Sequence, residues 1–365
     1  MSRNRDKWRW TMKVALASTI ARACRLPVVG DLARTRRRPL ILGYHRVVED
    51  FAAAARTELP SMLISLSMFE RHLDWLGRRF RFVGLDEIGD HMARGIPFDD
   101  PVAAITFDDG YRDVYENAYP TLKKRGIPAA VFVVTDLVGQ DAWQIHDKLY
   151  YLLSKAFAKW ERPRHELYGT LSDLGIPPRD VFPTHATTES PVHVVSALLP
   201  ALSQGDVHRV MTHLERAVGS GASEIPESVT WSMVKDMRRA GFTIGSHTRT
   251  HVSLPCETPE AAAEELAGSK RVLEQQLGEP VVHFAYPGGQ FTPRVVDTVA
   301  DVGYQFGYTA CPHGDPRHPA VTMERLLLWE GSSIDTAGRF YPPILNCQVH
   351  DLWPPARRCE RIHSS

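Results

Sequence analysis

Two carboxylates stand side by side in Ala103-Ala104-Ile105-Thr106-Phe107-Asp108-Asp109-Gly110, directly after an apolar run that reads as a β-strand. In parallel α/β folds the carboxyl ends of strands are where loops aim side chains into one pocket. Adjacent acids cannot both be buried and charged without a cation, a proton or water beside them, so the pair demands a partner. An Asp-Asp-Gly alone is more often a turn than a site. Asp99-Asp100 is the contrast: it precedes the same strand, at the opposite end, where a solvated turn accounts for it.

A partner is available in Gly245-Ser246-His247-Thr248-Arg249-Thr250-His251, again just past an apolar run. If this segment turns helical, the spacing of four puts both imidazoles on one face, ~5–6 Å apart at Cβ, as two ligands of one metal ion require. Spacing alone means little: 16 His in 365 residues give ~0.7 such pairs by chance. Placement adds what spacing lacks. Asp109, His247 and His251 all follow strands and could form a two-His, one-carboxylate set with positions open to water. Val281-Val282-His283-Phe284-Ala285-Tyr286-Pro287-Gly288-Gly289 ends a further strand; its Pro-Gly-Gly makes a plain turn or, functionally, exposes the Gly288 N–H to a developing oxyanion. His45, in Leu42-Gly43-Tyr44-His45-Arg46-Val47, ends the first strand; a lone His is usually structural, but this one shares the strand-end position of the others.

The elements that must position these residues read as β/α units. Strands are predicted at Leu40–Tyr44, Val102–Thr106, Ala129–Val134, Phe242–Gly245, Val281–Ala285, Tyr304–Tyr308 and Arg325–Trp329. Between them, Ser67 with Glu70 forms a candidate capping box for a helix with Phe69, Leu73, Leu76 and Phe80 inward. Thr230 opens a second helix ending at Gly241, and Thr258-Pro259 a third ending at Gly278. The fold class is α/β, either a parallel barrel or an open doubly wound sheet. Residues 139–227 break the rhythm with helical patterns at His146–Phe157, Val192–Leu202 and Val207–Val218, as an insertion on the rim would.

Length, 43% hydrophobic and 24% charged residues describe a folded protein with a substantial core. The zero net charge hides eleven Arg or Lys against two Asp in residues 1–38, so the remainder is acidic and nucleic acid is not an expected partner. Within 1–38, Trp8, Met12, Leu16, Ile20 and Ala23 line one helical face among Arg5, Arg9 and Lys13, the pattern of a leader lying on an anionic membrane; a disordered basic leader fits equally. Five Cys without a C-x-x-C argue for reduced thiols, placing the chain in the cytoplasm or peripheral to the inner membrane, with export through a poor signal peptide as the alternative.

Taken in order, Thr106-Phe107-Asp108-Asp109-Gly110, Ser246 to His251 and Ala285-Tyr286-Pro287-Gly288-Gly289 resemble the motifs of the polysaccharide deacetylase (NodB-homology) family. Tyr44-His45-Arg46-Val47 is similar to the subgroup containing poly-N-acetylglucosamine deacetylases. The resemblance covers roughly residues 40–330, poorly over 139–227. It implies a distorted (β/α) barrel of about seven strands and a metal-dependent hydrolase that removes N-acetyl groups from an amino-sugar polysaccharide or lipid-linked oligosaccharide. By position it makes Asp109, His247 and His251 the metal ligands, with Zn2+ as the default ion, Asp108 the general base and His45 the general acid. Tyr286, Pro287 and Arg325 are expected on the substrate side. Two departures stand out. Position 285 is Ala where many members carry the Arg that steadies the base, and Arg325 is the candidate substitute. The late Leu-x-x-His motif is not visible, which leaves the acid role to His45, with His313 second.

The domain division expected is a leader (1–38), a barrel (39–330) and a tail (331–365). In the tail, Cys347, His350, Cys359 and His363 have zinc-like spacings but no apolar scaffold. Rival functions are a deformylase or deacetylase of a small lipid-linked sugar, a carbohydrate-binding barrel without turnover, and a membrane-docked structural protein.

Overall fold

The structure is a computed structural model that describes residues 38–182, 190–219 and 227–352. Six parallel strands follow one another: β1 (Leu40–Tyr44), β2 (Val102–Phe107), β3 (Ala129–Val133), β4 (Thr243–Ser246), β5 (His283–Ala285) and β6 (Phe306–Thr309). β7 (Met323–Glu324) pairs with β6, and β8 (Leu326–Leu327) pairs with β1. Only Arg325 separates these two, so a single segment changes partner midway and closes the sheet as its seventh stave. The expectation of a parallel barrel of about seven strands holds. A short strand at Arg81–Phe82 pairs with β2 outside the ring.

Both faces of β1 to β6 are covered, which is why those strands are continuous apolar runs rather than alternating ones. Alternation survives in where the residues point. Ile41, Val102, Ala104, Ala130, Phe132 and Tyr308 form an interior cluster. Leu40, Leu42, Ala103, Ile105, Val131 and Val133 pack outward with the surrounding helices. Gly307 is required by close approach: a Cβ there would collide with the backbone of Val321, just before the closing segment.

The helices begin and end largely where the sequence signals them. Thr230 caps Trp231–Arg239, and Thr258 caps Pro259–Leu277, which stops at left-handed Gly278. The first differs by two residues: Ser65, not Ser67, accepts from the Met68 N–H and starts Leu66–Gly77.

Among its described residues the insertion contains α1 (Ile145–Lys159), α2 (Pro163–Asp173), α3 (Pro191–Leu198) and α4 (Gln204–Val218), with a single helical turn at Pro178–Val181. It carries its own core, with Leu149, Leu153, Leu171, Leu198, Val210 and Leu214 all buried. α2 carries no clear apolar stripe, which is why its sequence does not announce it. The tail is not separate up to residue 352: Leu345 and Val349 of helix Pro342–Val349 join the main core. Cys347 is buried on that helix, whereas Cys359 and His363, like leader residues 1–37, lie outside the described residues. Among the described residues no helix is long and apolar enough to cross a membrane.

Because the insertion has a core of its own, Leu214→Ala is expected to lower stability by ~2–5 kcal/mol. Urea unfolding followed by circular dichroism checks this; an unchanged midpoint would contradict a packed insertion.

Candidate metal centre

Strand parity delivers the first carboxylate. Val102, Ala104 and Thr106 of β2 point inward, so Asp108, two residues on, enters the mouth of the barrel. Asp109 would by parity face outward, but its φ of 70° turns the chain over and brings its carboxylate to the same mouth. The turn is staked by the Gln144 side chain donating to the Asp109 carbonyl (2.9 Å) and by Val229 N–H donating to the Gly110 carbonyl (2.9 Å).

The His-containing segment does not turn helical, contrary to the expectation from its spacing. It is a loop with positive φ at Thr248 (65°) and His251 (62°). Such conformations cost of order 1–3 kcal/mol each unless the surroundings impose them. Here they do. Glu265 accepts from the Arg249 and Thr250 N–H groups, Thr248 Oγ1 accepts from the His251 N–H, and Gln204 of α4 donates to the Thr250 carbonyl. The loop brings the imidazoles together all the same, with ring centroids 4.9 Å apart.

The result is one carboxylate inside a ring of imidazoles. His251 Nε2 lies 3.4 Å and His247 Nε2 3.5 Å from Asp109 Oδ1. His146 Nε2, from α1 of the insertion, lies 3.7 Å from Asp109 Oδ2. The ligand atoms of Asp109, His146 and His251 fall within 4.8 Å of one another. Both Asp109 oxygens are buried without a hydrogen-bond partner. A buried carboxylate so placed is costly unless a cation meets it. Burial, then the charges of Asp108 and Asp147, push the Asp109 carboxyl well above the usual range. Burial also lowers His146, His247 and His251, keeping them neutral, the form that ligates metal. His247 Nδ1 donates to the Ala285 carbonyl (2.8 Å), leaving Nε2 for the centre. The donor set fits a divalent ion.

Asp108 is handled differently. Burial alone would raise its carboxyl, but Arg325 binds it in a fork, Nη1 to Oδ1 at 2.6 Å and Nη2 to Oδ2 at 2.7 Å, and holds it down at about 2. Arg325 is itself buried and also donates to Thr106, so it stands behind the carboxylate rather than on the substrate side. His45 Nε2 lies 4.0 Å from Asp108 Oδ2, and burial lowers its pKa to about 4.

The remaining expectations divide. Pro287 and exposed Gly288, with φ 62°, line a cavity of about 260 Å³ together with His251. Tyr286 does not face it: its hydroxyl donates to the Val321 carbonyl (2.8 Å) and its ring packs on Phe284 and Phe291. His313 is exposed, with its Nδ1 3.7 Å from the Cys311 sulfur. His146 was not legible at all. A histidine in an amphipathic helix carries no signal by spacing, and here its neighbours reveal it: Tyr111 OH lies 2.6 Å from its Nε2 and donates to Asp147 Oδ2 (2.6 Å), while Arg46, paired with Asp113 (2.7 Å) and Glu58, covers the Tyr111 ring.

The profile of the family described as polysaccharide deacetylase matches residues 95–158 and 187–307. Among curated relatives, YxkH of Bacillus subtilis (strain 168) is 21% identical over 282 residues, 77% of this chain and 71% of its own length. Poly-beta-1,6-N-acetyl-D-glucosamine N-deacetylase of Staphylococcus aureus (strain NCTC 8325) is 32% identical over 137 residues, 34% of this chain and 47% of that protein. The solved structure of IcaB from Ammonifex degensii superposes with a TM-score of 0.52 at 22% identity, covering 86% of this chain and 97% of IcaB, a likeness of fold.

Arg325→Ala leaves a buried carboxylate unpaired and is expected to cost ~3–5 kcal/mol. With Asp108 lowered to about 2 from its usual 3.8, its contribution is complete above about pH 4 and lost as pH falls toward 2. In Arg325→Ala burial without the fork raises the Asp108 carboxyl instead, so the sign reverses: the penalty is full at neutral pH and shrinks as acid protonates the carboxylate. Urea midpoints measured between pH 2 and 7 check both outcomes.

Proposed function

The chain belongs to the polysaccharide deacetylase family, and on that premise we propose that it hydrolyses the N-acetyl groups of an amino-sugar polymer or lipid-linked oligosaccharide, with Zn2+ held by Asp109, His247 and His251. The observation that carries this reading is the buried Asp109 carboxylate, without a hydrogen-bond partner, among neutral imidazoles at the barrel mouth. The ion supplies Lewis acidity, which polarises an amide carbonyl and makes water nucleophilic near neutral pH.

The chain's own groups supply the rest. Asp108, ionised at every working pH and locked by Arg325, takes the proton of the attacking water at Oδ2. His45 is neutral at pH 7, because burial outweighs the pull of Asp108. It therefore cannot begin as the proton donor that an unperturbed histidine could be. It receives a proton during turnover, and Asp108 Oδ2 at 4.0 Å is the group placed to pass one on. His45 Nε2 then delivers it to the departing amine, which is a poor leaving group until protonated. The Gly288 N–H, on an exposed turn set by a positive φ, is available to the oxyanion. A carbohydrate-binding barrel without turnover drew its support from Ala285; the fork of Arg325 on Asp108 provides the missing guanidinium and removes that support.

Zn2+-loaded protein is expected to release acetate from N-acetylglucosamine oligomers. Asp108→Asn and His45→Ala are each expected to lower kcat by ~10²–10⁴. Acetate release that survives Asp108→Asn would overturn the reading.

A further inference from the structure

The insertion does more than deliver His146. Between α3, α4 and the catalytic loops lies the cavity of about 260 Å³ already met at Gly288. A single water needs ~10–15 Å³ by the same measure, and a methyl group is not much larger, so an acetyl group leaves most of this space unused. Its far wall is mostly apolar, with Val195, Leu199, Leu202 and Val207 beside Ser196 and Gln204. Its near wall contains His251, one of the residues that would hold the ion polarising the carbonyl, and Gly288, whose N–H is available to the oxyanion. His45, which delivers the proton to the departing amine, is not part of it, nor is Asp108. A substrate with its carbonyl at the centre thus directs its acyl group, not its sugar, into this cavity.

Resting on the deacetylase reading, we propose that the cavity is a subsite for an unbranched aliphatic N-acyl chain longer than acetyl, and that the protein hydrolyses such N-acyl amino sugars. The reaction remains amide hydrolysis. The C–N bond breaks, the water oxygen ends in the fatty carboxylate, and the water proton passes through Asp108 and His45 to the amine. Each methylene buried in an apolar wall is worth about fourfold in binding, so a hexanoyl chain gains well over tenfold where it fits.

The test compares N-acetyl-, N-butanoyl- and N-hexanoyl-glucosamine as substrates of the Zn2+-loaded full chain, together with the Ser196→Trp variant, which places a large ring into the cavity from an exposed position on α3. The expected result is a kcat/KM that rises at least tenfold from acetyl to hexanoyl, and a hexanoyl-to-acetyl ratio that falls at least tenfold in Ser196→Trp. Acetate release that exceeds hexanoate release, with a ratio insensitive to Ser196→Trp, would overturn the subsite and leave the deacetylase reading standing. If no amide is hydrolysed, the deacetylase reading fails. Calorimetric binding of the same glucosamides then decides the subsite: tighter binding of hexanoyl that Ser196→Trp abolishes supports it, and equal binding overturns it.

Discussion

Two adjacent carboxylates buried at one barrel mouth set the terms for everything around them. Each would be pushed toward its neutral form by burial, and each makes the other harder to ionise. The fold separates their fates. Asp108 receives a forked guanidinium and stays an anion; Asp109 receives three imidazoles and no donor, so its charge is left for a cation to neutralise. One residue of chain turning over at φ 70° makes the difference, because without it the second carboxylate would face the outer helices. The strained loop at Thr248–His251 serves the same centre: it brings both imidazoles to Asp109, and Glu265 holds its conformation through the Arg249 and Thr250 N–H groups.

The guanidinium also explains how the barrel closes. Arg325 is the residue at which the last stave stops pairing with β6 and starts pairing with β1, its own N–H donating to the Thr309 carbonyl at 2.7 Å. Closure and the charge state of Asp108 are therefore coupled through one side chain. Displacing the final stave would release the fork, and removing the fork would leave the seam facing a buried anion.

Much of this was legible because strand ends and strand parity are written in the sequence. Apolar runs followed at once by Asp108-Asp109, His247 and His45 located the mouth of the barrel, and the exposed Asp99-Asp100 pair at the other end behaved as a solvated turn should. What failed had a common cause: the sequence shows where a residue lies along an element, not what covers it. Tyr286 follows a strand as the active residues do, yet its ring is enclosed by Phe284 and Phe291. Spacing of four between His247 and His251 suggested a helix, whereas the surrounding hydrogen bonds impose a loop. His146 became visible only once α1 was packed over Tyr111.

The relocation of the guanidinium carries the most general lesson. A carboxylate at the end of β2 needs a forked donor from inside the barrel, and a stave that does not pair with β2 can reach that point, as the one carrying Arg325 does. With Ala285 on β5 too short, the same charge arrives from Arg325, and Ala285 instead offers its carbonyl to His247. What must be kept is the charge at that place in space, not its place in the chain. A motif read as a string scores this as a loss of function, while the electrostatics of the buried pair show that the requirement is met from another strand.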